Sequence, residues 1–409
     1  MKSRLFEQVF LEALRASRIL RGVVHKTPLD YSTTFSRLTG GRIYLKLENL
    51  QKTGAFKVRG AYYKIYKLPE DKKKKGVVTA SAGNHAQGVA FAASQYGIPA
   101  TIVMPITAPA SKVLATKNYE ANVVLHGSIY DEAYKKALEI AEKTGATFIH
   151  PFDDLDVIAG QGSIAVEILE DLKDIDIVVV PIGGGGLISG IASVMRNLLG
   201  DSVKIIGVEP EAAPKMKKSI EAGKIVEIPV RSTIADGLVT KRPGNLTFQL
   251  VSECVDDIIT VTDSEVAHAI FMLLERGKTL AEGAGAAALA AVLSGKINVE
   301  NKNVVVIISG GNIDLTLLSR IVNRELVREK RIMIIKGELP DKPGQLKEVL
   351  GILAKARVNI LEVMHNRYDP MLEPGWARVE LIVEVPNPDL INELLSQLKS
   401  YGYMFRVEE

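Results

Sequence analysis

Four stretches of the sequence combine residue types able to do chemistry: Lys57, the loop Ser81 to Gly88, the run Gly183 to Leu187, and Ser309. Lys57 lies just past Gly54, at the expected start of a helix. Positive potential at a helix N-terminus lowers an amine's pKa and frees the neutral form, which builds Schiff bases. Taken alone, the same residue also reads as a surface lysine. Ser81-Ala82-Gly83-Asn84-His85-Ala86-Gln87-Gly88 follows a short β-like run and opens a helical pattern at Val89. A strand breaking through small polar residues into a helix leaves N–H groups unpaired, which makes either an anion site or a capped turn. Gly183-Gly184-Gly185-Gly186-Leu187 follows the most apolar strand pattern in the chain. Its amides can wrap an anion at a helix end, or the run is a flexible turn. No Gly-Lys-Ser/Thr follows, so it is not a nucleoside-triphosphate loop. Ser309 ends the last buried strand pattern, in Ser309-Gly310-Gly311-Asn312. Its hydroxyl can bond a ring nitrogen without protonating it, or it closes a plain turn.

Alternating strand and helix patterns must position these residues. Apolar spacing predicts helices over 5–20, from the Lys57 region to about Tyr66, and over 84–96, 109–118, 129–143, 161–172, 186–199, 263–276, 283–294 and 314–329. Strands are expected at 43–48, 77–79, 100–104, 122–125, 147–149, 175–182, 203–208 and 303–309, with 229–262 less regular. This order predicts an α/β fold of doubly wound, mostly parallel sheets, whose ligands sit beyond the carboxyl ends of the strands. After the charged joint Glu329-Lys330-Arg331 the pattern changes to β-α-β-β-α-β, the ferredoxin-like order: strands at 332–335, 358–365, 377–385 and 402–407, helices at 345–356 and 388–399.

The chain has 409 residues, too many for one ordinary core. A net charge of +3 with both signs interspersed gives no case for nucleic acid, and Lys72–Lys75 reads as a solvated turn. The single cysteine, Cys254, excludes an intrachain disulfide and points to a reducing cytoplasm. Met1 to Glu7 carries charge where a signal peptide has its apolar core, and no apolar stretch reaches the ~20 residues that span a bilayer.

Five motifs in order resemble one family: Gly54-Ala55-Phe56-Lys57-Val58-Arg59-Gly60-Ala61, the Ser81–Gly88 loop, the four glycines with Leu187, Glu282-Gly283-Ala284-Gly285-Ala286, and Ser309-Gly310-Gly311-Asn312-Ile313-Asp314. Together they look like the threonine dehydratase (threonine ammonia-lyase) branch of the fold-type-II, tryptophan-synthase-β-like pyridoxal-phosphate enzymes. The resemblance implies a catalytic domain over 1–325, with a small subdomain of about 53–150 inserted between 1–52 and 151–325. It implies that Lys57 carries pyridoxal phosphate and takes the Cα proton, and that Gly183, Gly184, Gly185, Gly186 and Leu187 cradle the phosphate. Asn84 would bond the cofactor's 3-hydroxyl, Ser309 its pyridine nitrogen, and Phe56 would pack beside the ring. Ser81, Ala82, Gly83, Asn84 and His85 would hold the substrate carboxylate, with Glu282 as an active-site acid. The implied reaction turns L-threonine into 2-oxobutanoate and ammonia, and L-serine into pyruvate, toward isoleucine or in threonine catabolism.

Three departures sharpen this expectation. Related enzymes commonly have serine at the position of Ala55, so one contact to phosphate or substrate is lost. Serine racemases of this fold carry a second serine where this chain has Ala82, so elimination is expected over racemisation. Racemase-like members also hold a divalent cation near a Val-Glu-Pro segment; Glu209 and Ala213 match, but Lys215 replaces an acid, and no metal is expected. Residues 326–330 read as a linker, and 331–409 resembles a regulatory ACT domain. Asp341, Gly344, Leu346 and Asn359 are its expected contacts to an amino-acid effector, and such domains pair, giving a homodimer or homotetramer. A serine racemase or hydroxyaspartate dehydratase, and a non-catalytic amino-acid sensor, are the competing readings.

Overall fold

The computed structural model describes residues 3–387 and 389–408. Met1 and Lys2 of the charged start, Pro388 at the expected start of the last helix, and Glu409 lie outside the described residues. Two compact units divide the chain, Met1–Asp314 and Leu315–Glu409.

In the first unit, apolar β-branched runs become strands buried at every position, such as Ile177–Pro181 and Asn303–Ile308. Strands covered on both faces belong to parallel sheets. Numbered along the chain, these are β1 (Leu29–Tyr31), β2 (Arg42–Leu47), β3 (Val77–Ala80), β4 (Ala100–Met104), β5 (Asn122–Leu125), β6 (Thr147–Phe148), β7 (Ile177–Pro181), β8 (Lys204–Pro210), β9 (Asp257–Val261) and β10 (Asn303–Ile308). The larger sheet runs β1-β2-β10-β7-β8-β9 and the smaller β5-β4-β3-β6. Only the β1–β2 pair is antiparallel. Two mostly parallel, doubly wound sheets are thus present, as the alternation predicts.

Glycines let three helices meet backbone to backbone. A Cβ on Gly60 would lie 2.6 Å from Val157 O, one on Gly160 2.5 Å from Gly60 Cα, and one on Gly190 2.3 Å from Ile158 O. The helices Lys57–Tyr66 and Gly186–Leu199 are thereby both seated against the first half of the helix Leu155–Asp171. That central helix begins six residues before the expected 161. Asp154 caps it by accepting from the N–H groups of Asp156 and Val157, while Gly160 and Gly162 interrupt the apolar period that spacing relies on.

Three expectations are corrected. Lys72–Lys75 is no turn but the end of a helix, Glu70–Lys75, with acids in its first turn and lysines in its last, an order that complements the helix dipole. The strand Leu29–Tyr31 and helix Thr33–Thr39 were not expected, and the irregular 229–262 holds the helix Asn245–Cys254 and β9. Residues 326–330 are the last turn of the helix Leu315–Arg328 and a tight reversal, closed by Lys330 N–H on Val327 O and Arg331 N–H on Leu326 O, both at 2.9 Å.

The second unit adds β11 (Ile332–Pro340), β12 (Asn359–Asn366), β13 (Trp376–Glu384) and β14 (Met404–Val407), with helices Gln345–Lys355 and Leu390–Ser400. Its antiparallel sheet runs β12-β13-β11-β14. β-α-β-β-α-β order on such a sheet is ferredoxin-like. Alternate residues of β11 and β13 point into a core with Val349, Leu353, Leu394 and Leu398.

Candidate active site

Hydrogen bonds knit the spaced motifs into one place. Phe56 N–H donates to Ser309 O at 3.1 Å, Gly311 N–H to Gly54 O at 2.8 Å, and Glu282 N–H to Gly310 O at 3.0 Å. Asn84 stands at the centre: its Nδ2 donates to Glu282 Oε1 at 2.6 Å, and its Oδ1 accepts from Asn312 Nδ2 at 2.7 Å. Asn312 in turn donates to Thr53 O. No role was expected of Asn312 beyond its motif; its pairing with Asn84 is set by the fold.

Lys57 opens the helix Lys57–Tyr66, and its Nζ donates to Pro151 O at 2.8 Å. The side chain is partly reachable by solvent, yet protein surrounds the amine. Burial lowers its pKa to about 8, against the opposing charge of Glu282. The shift expected from a helix N-terminus therefore comes first from lost hydration. The Phe56 ring lies beside the amine, its centroid 5.1 Å from Nζ. Glu282 is 7% exposed. Burial, then Asp236, pushes its carboxyl up to about 7, while the Asn84 bond, Lys112 and Lys57 pull it down.

The glycine run forms the turn between β7 and the helix Gly186–Leu199, with Gly185 at φ +99° as its N-cap. A Cβ on Gly184 would lie 2.3 Å from the Phe152 ring, and one on Gly186 2.9 Å from Phe152 O. Thr247 Oγ1 donates to Gly184 O at 2.7 Å. The first N–H groups of that helix have no intrahelical acceptor, which suits a phosphate. Pro151 and Phe152, which join Lys57 to this loop, had no signal in the sequence. Ser309 is buried, and its hydroxyl reaches Ala284 O at 3.3 Å.

The Ser81–Gly88 loop leads into the helix Asn84–Gln95, with Gly83 as its N-cap and Gly83 N–H donating to Ser81 Oγ at 3.2 Å. Ala82 contributes only a methyl group. His85 lies in the loop expected to hold the substrate carboxylate, and its imidazole is buried, with Nε2 3.0 Å from Ile149 O. Only its backbone amide, in the first turn of the helix, is left to meet an anion.

Lys215 and Glu209 are fully buried, with Nζ 2.9 Å from Oε1. Lys215 Nζ also donates to Ile182 O at 2.8 Å and Leu238 O at 2.9 Å. Burial lowers this amine's pKa, against Glu209. Among the described residues no group of three His, Cys, Asp or Glu side chains could hold a metal ion.

The residues fit pyridoxal phosphate. A buried amine can condense with its aldehyde, Phe152 stands where a side chain on Gly184 or Gly186 would, and Ser309 offers a neutral hydroxyl. The model of the pyridoxal-phosphate dependent enzymes matches residues 20–310, and the chain belongs to that family. Its relatives narrow the branch. It is 51% identical to an L-threonine ammonia-lyase of Thermotoga maritima over 392 residues, 96% of this chain and 97% of that protein. Among solved structures it resembles the processed form of threonine deaminase isoform 2 of Solanum lycopersicum, with TM-score 0.75, 38% identity, and coverage of 79% and 89% of the two chains. It also resembles a maize serine racemase, with TM-score 0.73, 39% identity, and coverage of 78% and 98%.

In the second unit Asp341, Gly344 and Leu346 share one turn and helix start, and Asn359 lies apart from them. Asp341 follows β11 and accepts from Arg367 Nε at 2.9 Å. Gly344 caps the helix Gln345–Lys355 at φ +97°, and Leu346 packs on the core. Asn359 starts β12, in register with Glu384 and Ile332 at the opposite end of the sheet, and donates to Glu384 Oε2 at 3.1 Å. The nine residues of β11 put Asn359 about 27 Å along the strand direction from Asp341 within one unit.

Proposed function

We propose that this enzyme deaminates L-threonine to 2-oxobutanoate and ammonia, and L-serine to pyruvate and ammonia. Lys57 carries the reading: a buried amine, lowered to about 8, sits among the Asn84 loop, the glycine turn and Ser309. Pyridoxal phosphate bound there supplies the electron sink that makes the Cα–H acidic. The chain's own residues do the rest. Amides of Gly183 to Leu187 hold the phosphate and Ser309 the ring nitrogen. The N-terminus of the helix Asn84–Gln95 takes the substrate carboxylate. Lys57, neutral, takes the Cα proton and passes it to the β-hydroxyl, which leaves as water. A water later replaces the nitrogen, so threonine in gives 2-oxobutanoate and ammonia out.

Racemisation needs an acid or base on the far face of Cα, and Ala82 offers neither. The ferredoxin-like unit supports an ACT-type control domain that takes an amino acid, isoleucine first, and pairs with its copy in a homodimer or homotetramer. The single cysteine suits a reducing cytoplasm, where we place the enzyme. Steady-state kinetics on threonine and serine, with and without isoleucine and AMP, test the reading. Turnover of threonine is expected; a chain that racemises serine faster than it deaminates it, by chiral analysis, sinks it.

A further inference from the structure

The buried imidazole of His85 makes one hydrogen bond and has a second nitrogen, Nδ1, with no partner among the described residues. The Ile149 carbonyl can only accept, so Nε2 carries the proton and Nδ1 is a bare acceptor. Burial first, and then the charge of Lys57, holds the ring neutral at about 3, with His150 acting the same way. Its one bond is therefore unchanged at any pH the enzyme works in.

That bond lands on the segment that meets Lys57. Ile149 N–H finishes the β3–β6 ladder on Val78 O at 2.9 Å. Ile149 O takes two donors, Thr79 Oγ1 at 2.8 Å and His85 Nε2 at 3.0 Å, which fixes the direction of that carbonyl. Two residues on, Pro151 O accepts from Lys57 Nζ. Pro151 has no N–H with which to hold itself. Beyond it, His150 Nδ1 accepts from Phe152 N–H at 3.2 Å and Asp153 N–H at 2.8 Å. Asp153 then accepts from Asn245 N–H and Leu246 N–H, both at 2.8 Å, and Phe152 lies on the glycine loop. Residues 149–153 form a strap whose far end is tied to the phosphate side and whose near end rests on His85 and Thr79.

We infer that His85 is a positioning residue: its Nε2–H holds the Ile149 carbonyl and so fixes the strap that presents the Pro151 carbonyl to the Lys57 amine. The inference rests on the reading of Lys57 as the residue that carries the cofactor. It departs from a substrate-binding role for the imidazole.

Two polar variants of the full-length chain separate these roles. In His85→Gln the amide nitrogen can stand near the place of Nε2; in His85→Asn it falls short, near Nδ1. Cofactor-free protein is given pyridoxal phosphate and the growth of its visible band is timed; kcat and KM for threonine and the Tm are measured in parallel. His85→Gln should behave as wild type. His85→Asn should acquire the band about tenfold more slowly and lose about tenfold in kcat, the scale of one hydrogen bond, with KM and Tm unchanged. A His85→Asn protein as fast as wild type overturns the inference, as does a His85→Gln protein as slow as His85→Asn. A raised KM with kcat kept would return the imidazole to the substrate carboxylate. Wild-type protein that forms no visible band fails the reading of Lys57 itself, and this inference with it.

Discussion

Asn84 Nδ2 lies 2.6 Å from Glu282 Oε1, and the contact joins the Ser81–Gly88 loop to the N-cap of the helix Gly283–Leu293. Glu282 titrates at about 7 in the folded chain against an ordinary 4.5. A raised carboxyl pKa means that the folded state holds the proton longer than the unfolded one. Stability is then full below pH 4.5 and declines as pH rises through about 7. Glu282→Gln removes that decline. In cofactor-free protein it should gain about 3 kcal/mol over wild type at pH 9 and nothing at pH 4. Denaturant melts at the two pH values measure it, and an equal difference at both would refute the buried-carboxyl account.

Lys57 should be the most reactive lysine of the cofactor-free chain at neutral pH. Burial sets its amine near 8 rather than 10.5, so half-maximal acylation is expected near pH 8. Competitive labelling read by mass spectrometry gives the titration directly. Lys57→Ala should abolish both the visible band and threonine turnover; a variant that kept the band would place the cofactor elsewhere.

Lys215 should be a structural ammonium that holds Glu209, Ile182 O and Leu238 O together. Lys215→Met leaves Glu209 buried without its partner, at a cost of about 3–5 kcal/mol. The two N–H bonds from Met216 and Lys217 to Glu209 keep the loss toward the lower figure. Wild-type Tm should not respond to magnesium or chelator. Lys215→Ala, which leaves an oxygen-lined space at Ile182, Leu238 and Glu209, should regain Tm with added cation. A chelator that destabilises wild type would contradict this.

Ending the chain at Asp314 should separate catalysis from control. The shortened protein is expected to keep the visible band and threonine turnover and to lose any response to isoleucine, measured by the same rate assay. An isoleucine effect that survived would move the effector site into the first unit.

Much of this site was legible before the fold because its parts are local. A strand that breaks into glycines and then a helix offers a candidate anion turn by itself, and Gly183 to Leu187 do so. The buried strands β7 and β10 announce themselves by unbroken apolar runs. What stayed hidden depends on contact between distant residues. The Pro151 carbonyl carries no side-chain signal, Asn312 gains meaning only beside Asn84, and the tie of the His85 imidazole shows only with Ile149 placed next to it. Gly160 and Gly162 hid the start of their helix because small residues at a helix seam erase the apolar period that spacing analysis reads.

The same seam limits how this protein can change. Gly60, three residues along the helix that starts with Lys57, meets the backbone of the helix Leu155–Asp171 at Val157 O and Gly160, beside the Gln161 amide. A contact of backbone on backbone cannot be re-tuned by swapping one side chain for another. The amine is therefore referenced to the scaffold itself, and sequence drift in the surrounding core can alter stability while leaving the reacting nitrogen where it is.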